Sequence, residues 1–350
     1  FMILQRERAF EDDYEIGRLI GQGAFSVVHS CRSKRNGREF AVKITKSSAR
    51  LDVGTFGEEI AIHSKINHSN IIKLRSAYET KDCVHIVTDL AKGSELFDFI
   101  LKEQSFSEAD AARIAYKLFD ALAELHSLGI VHRDIKPENI LLEGNEEDAE
   151  VKICDFSFAK QLFSKKSQET KDQATVQVGT AGYAAPEVMA AQSCGAKCDV
   201  WSLGVVVYIM LCGFPPFCEV PDDETILDMP FWMHMKQVSV DKQNKVEFPD
   251  ILWNDISTSA KHFLSCALEL DPCFRSSSKD LLSHPWLRNK RRSVLPQNQI
   301  KRRKRSNSLS LNNVGSGGVK KWDAVKLKIN KFGRTLDAFM SEKLPNSNEL

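Results

Sequence analysis

Residues 14–46 alternate apolar and polar positions and are rich in β-branched side chains, a pattern that predicts strands around a glycine loop at Gly21 and Gly23. Residues 55–66 change to helical spacing, and Val84 to Leu90 reads as a buried strand. From Glu95 to about Leu287 helical patterns dominate, broken by short strand-like runs such as Val151-Lys152-Ile153. The order predicts an α+β chain with a small strand-rich part, 14–91, and a larger helical part, 92–287, closed by Pro285 and Trp286. The period is then lost. Residues 288–318 hold the basic run Lys301–Arg305, the serines Ser306, Ser308, Ser310 and Ser316 and a Gly-Ser-Gly-Gly stretch, and read as a disordered basic and serine-rich linker. Periodicity returns in 319–341. Trp322, Val325, Ile329, Phe332, Leu336 and Phe339 fall on one helical face, and Lys320, Lys321, Lys326, Lys328, Lys331 and Arg334 cover the rest. Gly333 weakens that helix by about 1 kcal/mol.

Composition changes this picture at three points. With 42% apolar and 27% charged residues the 350-residue chain is ordinary for a soluble globular protein. No apolar run is long enough for a membrane span, and Phe1–Arg6 turns charged too early for a signal peptide, although a chain beginning at Phe reads as a trimmed piece. The nine cysteines include no CxxC pair. Cys194 and Cys198 stand four apart with no second cysteine or histidine pair nearby at metal spacing, so reduced thiols in a cytoplasmic or nuclear protein are expected. The net charge of +1 hides a split: residues 1–287 carry 32 basic and 43 acidic side chains, −11, and residues 288–350 carry 16 basic and 4 acidic, +12. Such a tail either folds back onto the body or binds an acidic partner.

Phosphoryl transfer needs phosphates held still, metal to spread charge and a carboxylate to orient the attacking hydroxyl, and each of these parts can be sought along the chain. The stretch Gly21-Gln22-Gly23-Ala24-Phe25-Ser26-Val27-Val28 offers a phosphate cradle, since Gly21 and Gly23 let backbone approach phosphate without a Cβ. A plain hairpin would look the same, and Ser26 stands where a third glycine is common. Lys43, inside the apolar run Ala41-Val42-Lys43, shifts the reading, because a lysine there needs a partner, and Glu59 on the following predicted helix supplies one. An exposed lysine with a surface glutamate is the alternative. The stretch His132-Arg133-Asp134-Ile135-Lys136-Pro137-Glu138-Asn139 is the most telling. Asp134 could accept the hydroxyl proton, Asn139 could hold Mg²⁺ through its amide oxygen, and Lys136 could steady the moving phosphate. Asp155, in Asp155-Phe156-Ser157 after a strand, offers a second metal carboxylate.

In this set and order the chain resembles the eukaryotic protein kinases from about Tyr14 to Leu287. The resemblance implies a bilobal fold, with a β-rich N-lobe and an α-helical C-lobe, and use of ATP and Mg²⁺. It implies that Gly21 and Gly23 cover the phosphates, that Lys43 contacts them and pairs with Glu59, and that Asp134 is the catalytic aspartate. Asn139 and Asp155 would bind metal, Glu187 of Ala185-Pro186-Glu187 would pair with Arg275, and Asp199 would brace the catalytic loop. Ile20, Val28, Ala41 and Leu141 would sandwich adenine beside the hinge Asp89-Leu90-Ala91, with Thr88 as gatekeeper and Glu95 reaching ribose or substrate. Lys136 marks the serine/threonine arrangement, and Thr180 would bridge Asp134 and Lys136. Cys154 would line the back of the nucleotide pocket. Gly93-Ser94-Glu95-Leu96-Phe97-Asp98, Gly213-Phe214-Pro215-Pro216-Phe217 and His284-Pro285-Trp286 resemble the calcium/calmodulin-dependent group.

That likeness makes 319–341 an expected autoregulatory, calmodulin-binding helix. A helix packed permanently on the body and a membrane-surface helix are the alternatives. Glu95 and Glu138 at the implied substrate groove predict protein substrates with basic residues near the phosphosite. No nucleic-acid partner is expected, since the run at Lys301–Arg305 reads equally well as a solvated charge run. The chain departs from the family at Ser157, where a glycine is usual. It departs again at Val176, with Thr175 beside it, where a phosphorylated threonine is usual, and in the length of 219–247, which carries no readable role.

Overall fold

The computed structural model describes residues 4–5, 8–23, 26–46, 56–103, 106–143, 150–162, 179–180, 182–190, 194–213, 215–216 and 246–288. The expectations for Ala24, Phe25, Thr175 and Val176, nearly all of 219–247, the linker and the 319–341 helix lie outside these residues.

The strand-rich part is one six-stranded sheet. Its strands are β1 (Leu4–Gln5), β2 (Tyr14–Gln22), β3 (Ser26–Ser33), β4 (Glu39–Lys46), β5 (Leu74–Glu79) and β6 (Cys83–Asp89), in the order β1-β5-β6-β4-β3-β2. All neighbours run antiparallel except β1, which joins β5 in parallel. Period-two patterning gives this sheet two apolar faces. On one, the short helix α1 (Phe10–Asp13) drives Phe10 among Cys31, Phe40, Val42, Tyr78 and Val87, with the His85 ring stacked 4.8 Å away. On the other, Ile60 of helix α2 (Phe56–His63) meets Leu74, Ala77, Val84 and Ile86. α2 is shorter than the predicted 55–66, because Lys65 and Ile66 continue in tight i−3 hydrogen bonds and not in α-helical ones.

The helical part follows through α3 (Leu96–Glu103) and α4 (Glu108–Ser127), the latter started by Ser107, whose hydroxyl accepts from Asp110 N. β7 (Ile130–Val131) comes next, then β8 (Ile140–Glu143) and β9 (Glu150–Ile153), which form an antiparallel pair, and β10 (Lys160–Gln161), which pairs with β7. α5 (Pro186–Met189) leads to α6 (Lys197–Cys212), and the described residues end with α7 (Asp250–Trp253), α8 (Thr258–Ala267), α9 (Ser278–Leu282) and α10 (Pro285–Arg288). α6 is apolar nearly all round, and every residue from Cys198 to Cys212 is buried, so it is the axis on which α4 and α8 pack. Gly204 permits that packing: a Cβ there would lie 2.9 Å from Leu268. Each fully buried Leu or Phe of this core contributes about 1.5–3 kcal/mol. Among the described residues no helix is long and apolar enough to cross a membrane.

One expectation is corrected. Cys194 and Cys198, read as reduced thiols, are joined as a disulfide, their Cα atoms 6.0 Å apart. Cys198 opens α6 and the turn before it places Cys194 on the same side, within bridging distance. Six other cysteines among the described residues are free.

Candidate active site

Lys43 projects from the middle of β4, in register with Val28 on one side and Ile86 on the other. A partly buried ammonium needs opposite charge, and two carboxylates provide it: Nζ lies 3.5 Å from Glu59 Oε1 and 2.7 Å from Asp155 Oδ1. It also donates to Ser157 Oγ. Ser157 in turn donates its backbone N–H, at 3.2 Å, and its hydroxyl, at 2.5 Å, to Asp155 Oδ1. Burial works against charge on Asp155, yet Lys43 and the Ser157 donors hold its carboxyl well below the usual range, so it is an anion.

The loop after β7 presents the second group. Arg133 sits at φ 67°, a left-handed backbone that costs a non-glycine residue about 1–3 kcal/mol. Asp199, buried in the first turn of α6, offsets that cost: its carboxylate accepts from His132 N and Arg133 N, both at 2.8 Å, and from His126 Nε2 at 3.1 Å. The loop so held aims Asp134 at its neighbours. Asp134 Oδ1 accepts from Thr180 N at 3.1 Å and from Thr180 Oγ1 at 2.9 Å. Oδ2 accepts from Asn139 Nδ2 at 2.9 Å and lies 3.1 Å from Lys136 Nζ. Lys136 also donates to Thr180 Oγ1 at 2.8 Å. Burial alone would lower the pKa of Lys136, but Asp134 and Glu138 reverse this and keep it charged. Gly179 lets the segment pass so close: it sits at φ 104°, and a Cβ there would lie 2.5 Å from Arg133 O.

Whether these residues suit a divalent cation can be tested on Asn139. Its Nδ2 is committed twice to Asp134, to the backbone O at 2.8 Å and to Oδ2 at 2.9 Å, so the side-chain oxygen is the group left to face a ligand. An amide oxygen and the anionic Asp155 are oxygen donors of the kind a hard cation takes, and the residues fit.

The residues expected beside adenine are placed by the sheet. Gly21 pairs with Val28 and Gln22 with Val27, and Gly23 N donates to Ser26 O at 2.8 Å to close the turn. Ala41 pairs with Thr88, and Leu141 bridges to Glu95. Ile20 is 42% exposed and stands at the rim. Asp89 turns its carboxylate outward to Arg75, with N–O distances of 2.6 and 2.7 Å, which leaves only its backbone to the hinge that runs through Ala91. Gly93 N donates to Leu142 O at 3.0 Å, and a Cβ there would lie 2.3 Å from that oxygen, so glycine lets the hinge clasp β8. Burial, then Asp98 and Glu138, raise the Glu95 carboxyl to about 7. Cys154 donates its N–H to Asn139 O at 2.9 Å, and burial pushes its thiol pKa far up.

Sequence reasoning missed several members. Ser157 is read there only as a departure, but its hydroxyl touches both Lys43 and Asp155. His132 receives Asp134 N on Nδ1 at 3.3 Å, so Nε2 carries the hydrogen and donates to Cys154 O at 3.0 Å. Arg133 Nε donates to Phe158 O at 2.6 Å. Their polar type within two residues of Asp134 or Asp155 was the available signal. Glu187 and Arg275 form a buried pair, with N–O distances of 2.7 and 2.9 Å.

Comparison with known proteins gives a consistent result. The family described as "Protein kinase domain" matches residues 14–287. The chain is 38% identical over 281 residues to myosin light chain kinase A of Dictyostelium discoideum, covering 80% of this chain and 89% of that protein. It is 36% identical over 278 residues to calcium/calmodulin-dependent protein kinase type 1 of Caenorhabditis elegans, covering 79% and 74%. It is 37% identical over 292 residues to calcium-dependent protein kinase 27 of Oryza sativa subsp. japonica, covering 82% and 44%.

Proposed function

This chain belongs to the protein kinase family and is a protein serine/threonine kinase with the bilobal fold, and from that premise we propose how its residues divide the work and how the tail controls it. The Gly21–Gly23 turn and the hinge would hold ATP, and Lys43 would meet its phosphates. Mg²⁺, held by Asn139 and Asp155, supplies charge neutralisation of the phosphates when bound. Asp134 accepts a hydrogen bond from the substrate hydroxyl and takes its proton as the phosphoryl group leaves ATP. Lys136 and Thr180 hold Asp134 in that attitude, and Lys136 steadies the transferred group. The observation that carries this reading is the Asp134 carboxylate, fixed from both oxygens by Thr180, Asn139 and Lys136. A Mg²⁺-dependent phosphate-transfer assay on a mixed serine, threonine and tyrosine peptide library tests it, and incorporation into tyrosine peptides alone would overturn it.

Substrates carry arginine or lysine near the phosphorylated residue. Supporting this are Glu95 and Glu138, close enough to raise one carboxyl's pKa through the other, on a body of net charge −11. The tail is an autoregulatory segment: residues 320–340 combine a six-residue apolar face with a basic remainder, and 288–350 carry +12 against that body. One relative's name includes calcium/calmodulin dependence, which agrees. Activity with and without Ca²⁺/calmodulin, on the full chain and on residues 1–290, tests this. Replacing Trp322 and Phe332 with Asp should abolish calmodulin binding and raise basal activity together. Loss of binding without a rise in activity makes the tail a docking segment, and no calcium-dependent binding by the parent rejects calmodulin control.

A further inference from the structure

At the far end of the helical part, three side chains of metal-ligand type converge. His262 and Cys266 stand four residues apart on α8 and so share a face. His284 stands in the turn between α9 and α10, and one ligand atom from each of the three lies within 4.8 Å of the others. His262 Nδ1 is 2.8 Å from His284 Nε2, and Cys266 Sγ is 3.9–4.0 Å from the His262 ring nitrogens. His262 is exposed and the other two are partly so, which leaves an ion a way in.

We propose that His262, Cys266 and His284 form a binding site for a Zn²⁺-type transition-metal ion that ties α8 to α10, separate from the phosphate site. The donor set selects the ion. Two imidazole nitrogens and a thiolate suit zinc and its neighbours, whereas Mg²⁺, which the kinase reaction uses, takes oxygen donors and does not compete here. The spacing is near what is needed. Zn–N of about 2.0–2.1 Å and Zn–S of about 2.3 Å place tetrahedral ligand atoms roughly 3.3–3.7 Å apart. The His262–His284 contact must open and the Cys266–His262 contact close by about half an ångström, and Cys266 and His284, within 4.8 Å, must close by up to about 1.2 Å, which side-chain torsions can supply at a partly exposed site.

Trp286 N donates to His284 Nδ1 at 3.2 Å, so Nε2 of His284 carries the ring hydrogen and donates to His262 Nδ1. On loading, that hydrogen passes from Nε2 to Nδ1 of His284 and the Trp286 contact is given up. A cysteine thiol ordinarily carries its proton at neutral pH. The ion displaces that proton to solvent, and water fills the fourth position. One proton is therefore released per ion bound. The lost Trp286 hydrogen bond makes the site an exchangeable one and not a permanent fold staple. Trp286 itself anchors α10 through Nε1 to Glu108 Oε1 at 3.0 Å, so loading acts on the last helix before the basic segment begins.

The test uses the full chain, metal-free and with a non-thiol reductant. Zn²⁺ is titrated by calorimetry in buffers of different ionisation enthalpy, and Co²⁺ by optical absorption. Expected are one ion per chain at micromolar Zn²⁺, one proton released per ion, and a thiolate-to-cobalt charge-transfer band. His262→Ala and Cys266→Ser should each weaken binding at least about tenfold, and Cys266→Ser should remove the band. Their metal-free melting temperatures should match the parent, which separates a lost ligand from a lost fold. His284 is left intact because it caps α10. Absence of binding at micromolar Zn²⁺, or binding unchanged in both variants because other cysteines hold the ion, overturns the proposal.

Discussion

Glu187→Gln isolates a charge without changing shape, and the structure fixes what it should cost. Arg275 is fully buried and lies against the Trp201 ring, 5.0 Å from guanidinium carbon to ring centre. It donates to both Glu187 oxygens, at 2.7 and 2.9 Å, and to the backbone oxygens of Glu269, Lys197 and Leu270 at 2.7, 2.8 and 3.1 Å. The three carbonyls satisfy hydrogens but carry no net charge, so among the described residues only Glu187 neutralises the cation. Removing one partner of a buried pair costs about 3–5 kcal/mol, against about 5–15 kcal/mol for a whole domain. Glu187→Gln should therefore lower the melting temperature by about 6–15 °C. Arg275→Met should cost at least as much, because it strands the carboxylate together with three carbonyls. The double variant Glu187→Met/Arg275→Met should cost less than the sum of the two single losses by at least about 2 kcal/mol, since no lone charge remains. Urea unfolding followed by tryptophan fluorescence, to which Trp201 contributes, measures all three. A loss below about 1 kcal/mol for Glu187→Gln, with an additive double variant, would refute the reasoning.

Asp134→Asn should keep nucleotide affinity and reduce phosphate transfer by about 10²–10⁴-fold, because the lost group acts on the hydroxyl and not on ATP; turnover within tenfold of the parent would remove Asp134 from that role. Glu95, raised to about 7, is largely protonated at pH 6 and charged at pH 8. The KM for an arginine-containing peptide should thus fall as pH rises through that range, with no such trend for a peptide lacking the arginine or for Glu95→Gln. Cys154 abuts both Asn139 and Asp155, so ATP should slow its labelling by thiol reagents, a reaction that burial already makes slow. Equal rates with and without ATP would place this thiol away from the nucleotide.

Much of the fold was legible because periodicity and length are local properties. The switch from period two in 14–46 to helical spacing on α2 survives into the structure, with ends displaced by a few residues. The candidate site was legible for another reason: Asp134, Lys136 and Asn139 share one short loop, so the chemistry proposed for them could be read without knowing any long-range contact. What could not be read depends on distant segments meeting. Asp199 lies more than sixty residues from the two N–H groups it holds, and nothing in its own surroundings sets it apart from a helix-start aspartate, so only the family resemblance pointed to it. Ser157 was visible only as an exception, since its bond to Lys43 joins β4 to the segment after β9. Cys194 and Cys198 were misjudged because spacing says two residues are close without saying how their side chains face. His262 and Cys266 had helical spacing in plain view, but the third member, His284, arrives from beyond α9.

The polar groups of this molecule fall into two kinds, and the difference explains where chemistry is possible. Around Arg275 and Asp199 the partners come from the protein itself, in fixed backbone and helix positions. Disturbing them releases buried charge, so they behave as rigid parts. Around Asn139 and Lys43 the partners are provisional. Asn139 has both amide hydrogens committed and its oxygen left over, and Lys43 is shared among Glu59, Asp155 and Ser157, all on segments that differ from its own strand. On the function proposed above, a phosphate or cation entering there would meet charges already desolvated and oriented, and would exchange one set of partners for another without having to order them first. The rigid Asp199 contacts are what make this exchange reproducible: they hold Arg133 in its left-handed backbone, and through it keep Asp134 aimed while the ligands come and go. Fixed charge therefore belongs beneath the catalytic loop and exchangeable charge above it, and a sequence that moved either kind to the other position would lose its geometry or its turnover.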